Sequence, residues 1–289
     1  MNYHPSNLYK YIQKSELRII NDNFRIRLSS ELAEKYDTGL YDLALDRIAE
    51  NINEIKALNI QYPGKAKPIF YMYIVPDEDF IDLLSFPFPD AKSGGRPVST
   101  FDLDGFNSAY GQSQNSLEFP RKEETIAHKV NMIHEFSHLV NDMFFSKDRL
   151  LAEGFAETLP LYTLGYEEKF DEHREIIKQL KPDDIISPEQ LLKMGKDNTF
   201  GRTTRIANKT CSFDLSYISS YLFIRGYITR IAEAFKFNRA EATQKFLEFG
   251  RASQCTNEWL LLDLASYIGI DEAKILSGKD LQLLAQSDI

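Results

Sequence analysis

The stretch from Glu124 to Phe145, ETIAHKVNMIHEFSHLVNDMFF, contains neither glycine nor proline and reads as one long helix. On a helical wheel, Ile126, Val130, Ile133, Phe136, Leu139, Val140, Met143 and Phe144 cover most of its circumference. A helix apolar on nearly every side has to be buried, and the rest of the chain must fold around it. Its polar residues then need partners, because a polar group taken out of water without one is costly. Two of the chain's five histidines, His134 and His138, lie in this helix with Glu135 between them, as H-E-x-x-H. Residues four apart sit one turn apart on the same face. The two imidazoles can therefore converge on one ion about 2 Å from each nitrogen, a geometry that zinc accepts. Glu135 points about 100° round the helix. It misses that fork and is placed to reach a water beside the ion.

The remaining composition sets bounds. A chain of 289 residues can bury one large core or two smaller ones, and two lobes are favoured. Hydrophobic content of 43% with 27% charged residues belongs to an ordinary globular protein. The net charge is −9 and the Lys and Arg residues are scattered, so no nucleic-acid partner and no anionic-membrane surface are expected. Two cysteines, Cys211 and Cys255, make no disulfide framework and match no zinc spacing. They read as small buried residues in a reducing compartment, with a single bridge as the other option. The N-terminal MNYHPSNLYKYIQKSELRII lacks the apolar core of a signal peptide. The most apolar segment, SYISSYLFIRGYITRIAEAF, carries Arg225 and Arg230 on a helical period and reads as a core helix, leaving no membrane span. The chain reads as cytoplasmic. A secreted protein stripped of its export signal would read the same way.

Along the chain, FRIRL (Phe24 to Leu28) and PIFYMYIVP (Pro68 to Pro76) have strand character, and Leu40 to Leu58 has helical spacing. The Gly-, Pro- and Ser-rich stretch that follows suggests loops and short strands. From Glu123 onward the pattern is almost wholly helical. Ser187 caps SPEQLLKMG, with Pro188 in the first turn and Gly195 as its stop, and Asp214, Asn238 and Thr256 are candidate caps further on. The expected class is α+β, with a small N-terminal mixed sheet, active-site helices and a C-terminal helical lobe. The expected division is 1–145, ending in the H-E-x-x-H helix, and 146–289, mainly helical.

A catalytic zinc takes three protein ligands and keeps a fourth position open. An extended H-E-x-x-H-x-x-G-x-x-H pattern is excluded by Asn141 and Phe144. The alternative source is a glutamate from the next helix, and LLAEGFAETLP supplies Glu153 and Glu157, one turn apart. A short turn at Ser146 to Asp148 would send that helix back toward the histidines. Pro160 should kink or end it.

With these two halves, His134 to His138 and Glu153 to Glu157, the sequence resembles the gluzincin metallopeptidases. That group includes the aminopeptidase-N enzymes and the broader peptidase-MA-like families, and the resemblance implies a zincin-like fold. In these families the third ligand is the glutamate of an E-G-x-A segment, which corresponds to Glu153 in EGFAE. The aminopeptidase-N spacing lands on Glu157 instead. Local context favours Glu153, since Gly154 and Ala156 suit close helix packing beside a metal. Glu157 then becomes the outer carboxylate that holds a ligand imidazole. The resemblance also implies a tyrosine that stabilises the oxyanion. SYISSYLFIRGYI offers Tyr217, with Ser220 at a small-residue position and Tyr221 as the rival. His173 is the other possible donor, although a solvated helix histidine is the plainer reading, and His4 and His128 have no assigned role. By the same resemblance, extended substrate would lie along the strand before the H-E-x-x-H helix, at Ala109, Tyr110 and Gly111, where a plain β-hairpin is the simpler reading.

The implied function is a zinc-dependent metallopeptidase acting on peptide or protein substrates. Zn2+ would be held by His134, His138 and Glu153, Glu135 would serve as general base, and Tyr217 would assist. The exopeptidase motif G-A-M-E-N of the aminopeptidase-N enzymes is absent, which favours an endopeptidase. Two other functions use the same residues: a zinc hydrolase of a non-peptide substrate, and a binding or regulatory protein that keeps the metal for stability. The intact Glu135 speaks against the second, because a structural site has no use for that carboxylate.

Overall fold

The computed structural model describes residues 15–19, 24–29, 38–62, 70–75, 95–102, 105–113, 126–142, 144–145, 149–207 and 212–252. His4, Cys211, Cys255, the turn at 146–148 and the expected cap Thr256 with its helix lie outside the described residues, as does the side chain of His128. The chain divides into two compact units, Met1–Leu139 and Val140–Ile289.

The first unit holds a five-stranded mixed sheet. Its strands are β1 (Ser15–Ile19), β2 (Phe24–Ser29), β3 (Phe70–Val75), β4 (Gly95–Asp102) and β5 (Gly105–Ser113), in the order β1-β2-β3-β5-β4. β2 pairs with β3, and β3 with β5, in parallel. The outer pairs, β1 with β2 and β4 with β5, are antiparallel. Between β2 and β3 the chain forms helix α1 (Thr38–Ala57), the kind of connection a parallel pair requires. The expected strand and helix at Phe24 and Leu40 are therefore present. The segment read as loops and short strands contains β4 and β5, eight and nine residues long, because cross-strand pairing overrides the weak strand preference of Gly and Ser there.

Helix α2 (Ile126–Asp142) carries the H-E-x-x-H motif. Val130, Ile133, Phe136 and Val140 are all buried, as its apolar circumference requires. Two polar contacts join it to α1, whose Ile52 and Ile55 are also buried. Lys129 Nζ reaches Glu54 Oε1 at 2.6 Å, and Asn51 donates to Met132 Sδ at 3.4 Å.

Among the described residues, the second unit is helical apart from a short hairpin, β6 (Arg205–Ala207) with β7 (Ser212–Asp214). Its helices are α3 (Arg149–Thr158), α4 (Asp171–Gln179), α5 (Pro188–Lys196), α6 (Leu215–Phe235) and α7 (Arg239–Ala252). α3 and α6 cross at Gly154, where an added Cβ would come within 2.7 Å of the Ser220 carbonyl oxygen and 2.6 Å of Ile224 Cγ1. Glycine is required at that approach, and the EGFA segment thus packs as its small residues suggested. Phe155, Leu151, Ile224, Ile228, Phe246 and Leu247 fill the core around the crossing.

Pro160 acts as expected, by a definite route. It has no N–H to continue the α3 ladder, so the next turn widens to a π-helical one over Leu159–Thr163, closed by Leu164 N to Leu159 O at 3.0 Å. α5 has the predicted cap: Ser187 Oγ accepts from Gln190 N, and the Gln190 side chain accepts from Ser187 N. The predicted stop is wrong. Gly195 lies inside α5, and the chain leaves the helix through Asn198, which takes the left-handed backbone at φ 55°. Asp214 caps α6 by accepting from Ser216 N at 2.9 Å, and Asn238 caps α7 by accepting from Glu241 N at 2.9 Å.

Candidate metal centre

The regular turn of α2 presents His134 and His138 on one face, with their Nε2 atoms 3.2 Å apart. The ring planes are nearly perpendicular, at 86°. Two imidazole nitrogens this close share either a proton or a cation, since facing lone pairs repel. A tetrahedral ion bonded to nitrogen at about 2.0–2.1 Å spans an N···N edge of about 3.3–3.4 Å. The observed separation fits that edge.

Glu153, in the second turn of α3, joins the group: the three ligand atoms lie within 4.8 Å of one another. Its carboxylate is buried, and Arg149 Nη1 donates to its Oε1 at 2.7 Å. Two imidazoles and one carboxylate are a donor set of catalytic zinc sites. Glu135, half-buried, stands on the same helix next to the first histidine. Glu157 is outside the group of three. Its charge bears on His173 and Tyr221.

No family model and no curated protein matches this sequence.

The two candidate tyrosines have different settings. Tyr217, in the first turn of α6, is half-buried, with its ring edge-on to Phe200 and against Gly201. Tyr221, one turn on, is fully buried. Burial first, and the nearby Glu167 second, push its hydroxyl well above the ordinary phenol range. A phenol enclosed in the core cannot meet a substrate, so Tyr221 is a packing residue.

His173 is not solvated as its charged neighbours suggested. It is 1% exposed, enclosed by Phe170, Phe213 and Tyr221 with ring centroids 5.2–5.8 Å away. The reason is the face it occupies: His173, Ile176 and Ile177 are the buried stripe of α4. Near it, Arg225 Nε lies 3.5 Å from Glu167 Oε2, both side chains being buried. This buried cluster of Glu167, His173, Tyr221 and Arg225 went unread in the sequence, although an arginine within the apolar run SYLFIRGYI signals a hidden acid.

The cluster has a pH signature. Burial holds the His173 imidazole below its ordinary value of 6.5, against Glu157 and Glu167, which favour the cation, and with Arg225 opposing it. The unfolded chain takes up a proton near pH 6.5 that the folded protein refuses until lower pH. Stability should therefore fall as pH drops below that value and level off beneath the folded one, with a slope of at most about 1.4 kcal/mol per pH unit. His173→Phe removes this component. Denaturant unfolding between about pH 7.5 and pH 5 should show a shallower decline in the variant than in the native protein. Equal slopes would mean that His173 titrates normally.

The stretch Ala109 to Gly111 is not at a sheet edge. Ala109, Tyr110 and Gly111 in β5 pair with Tyr71, Met72 and Tyr73 on one side and with Val98, Pro97 and Arg96 on the other. Their backbone groups are committed to the ladder, and the hairpin reading is the one that holds. Among the described strands, the edge on that side is β4. Among the described residues, no helix is long and apolar enough to cross a membrane.

Proposed function

We propose that this protein is a zinc-dependent metallopeptidase with His134, His138 and Glu153 as the metal ligands. One observation carries the reading. Two imidazoles from the helix that also bears Glu135, and a buried carboxylate from α3, gather their ligand atoms within 4.8 Å of one another. When bound, zinc supplies the positive charge that acidifies a water and polarises a carbonyl. Glu135 takes the proton that the attacking water gives up and passes it to the leaving amine. It can do so because its place on the helix turns it away from the ligand fork. The Tyr217 hydroxyl is the proposed donor to the developing oxyanion, since its rival is sealed in the core. Glu157 supports the ligand set from outside it. The lack of an exopeptidase motif favours cleavage within a chain.

The test is a cleavage profile of the purified, zinc-loaded protein on a mixed peptide library, beside a panel of small esters and amides. Internal cleavage of peptides that stops with a chelator is the expected result. Turnover confined to the esters or amides would reassign the substrate class. About one zinc per chain with no turnover of anything would leave a binding or regulatory role.

A further inference from the structure

We infer that Arg149 is the positioning residue for the third ligand, Glu153. This rests on the zinc reading above. Arg149 is the first residue of α3 and lies one turn before Glu153. Its Nη1 donates to Oε1 of that carboxylate at 2.7 Å, which fixes the direction in which the carboxylate faces. The arginine stem is itself held. Gly195 in α5 approaches so closely that an added Cβ would lie 3.3 Å from Arg149 Cβ. The glycine misread as a helix stop thus has a packing role, and α5 braces the residue that orients the ligand.

Two effects of Arg149 on metal affinity oppose each other. Its positive charge repels a dication, and its hydrogen bond orients the carboxylate. The guanidinium side chain is 40% exposed while that of Glu153 is 6% exposed. Solvent screens the charge of the former, whereas the directed bond to a buried oxygen is not weakened in the same way. Orientation therefore prevails. Partners of a ligand outside the coordination shell are typically worth 10- to 100-fold in affinity.

Zinc affinity is measured by competition with a chelator for the native protein, Arg149→Ala and Arg149→Lys. Arg149→Ala should bind zinc roughly 10- to 100-fold more weakly, and Arg149→Lys, which keeps the charge but loses the planar fork, should recover only part of that. Because Arg149 is partly exposed, its truncation opens no sealed cavity. X-ray absorption on the zinc-loaded proteins gives a second readout: the carboxylate contribution to the zinc shell should change between the native protein and Arg149→Ala. Unchanged or tighter binding in Arg149→Ala, or the same coordination in both proteins, would overturn the inference. If the native protein itself fails to bind zinc, it is the proposed function that falls.

Discussion

Glu135→Gln should leave about one zinc per chain in place while turnover drops roughly 10²- to 10⁴-fold, the usual worth of a general base. That is about 2.7–5.5 kcal/mol of transition-state stabilisation. Glutamine keeps the shape and a hydrogen-bonding oxygen but cannot accept a proton at neutral pH. The variant therefore separates proton transfer from metal binding. His134 and His138 present their Nε2 atoms to each other at 3.2 Å, and Glu135 is not one of the three residues whose ligand atoms gather there. Zinc content should accordingly be insensitive to the change. Metal analysis alongside steady-state kinetics on the cleaved peptide gives both numbers. Loss of zinc would make Glu135 a ligand, and retained turnover would mean that another group takes the proton.

The parts of the fold that were legible in the sequence are those where local chemistry and tertiary packing agree. α2 is long, free of breakers and apolar all round, so its burial follows from its composition. Ser187, with Gln190 three residues on, states a helix start by satisfying the first orphan N–H groups, whatever packs nearby. Gly195 shows the opposite case. Glycine near the end of a helical pattern suggests a left-handed stop, but here its missing side chain admits Arg149 and the turn is made at Asn198. Sequence spacing does not distinguish a glycine kept for its φ from one kept for its size.

The same limit applies to the site. The spacing of His134 and His138 is a local property of one helix, and their convergence could be read directly. Whether a glutamate two turns into the next helix joins them depends on a turn and a helix crossing. His173 was misread because DEHREI looks charged, although Ile176 and Ile177 already mark the face on which it lies. Ala109 to Gly111 were misplaced for a topological reason. The strand that pairs outside β5 precedes it in the chain, and nothing in the residues of β5 announces that β4 folds back to cover it.

The largest effect on metal binding is expected at α3, where two glutamates one turn apart compete for the third ligand position. Glu153 is buried with its ligand oxygen among the histidine nitrogens, and Glu157 is half-buried outside that group. Removing Glu153 leaves a two-histidine site. Structural zinc sites derive about 10–16 kcal/mol from their whole ligand set, so losing one ligand in three should collapse the affinity by far more than 100-fold. Glu157→Ala should weaken binding by only about 10- to 100-fold, the range for a supporting carboxylate. Its charge also raises the His173 pKa, so the same variant should depress that imidazole further, a change that Glu153→Ala has no direct reason to cause. Chelator competition on both variants measures the first contrast, and NMR titration of the His173 ring measures the second. Stripping of zinc by Glu157→Ala, with retention in Glu153→Ala, would hand the ligand role to Glu157. Arg149 would then be a surface partner of a carboxylate that does no chemistry.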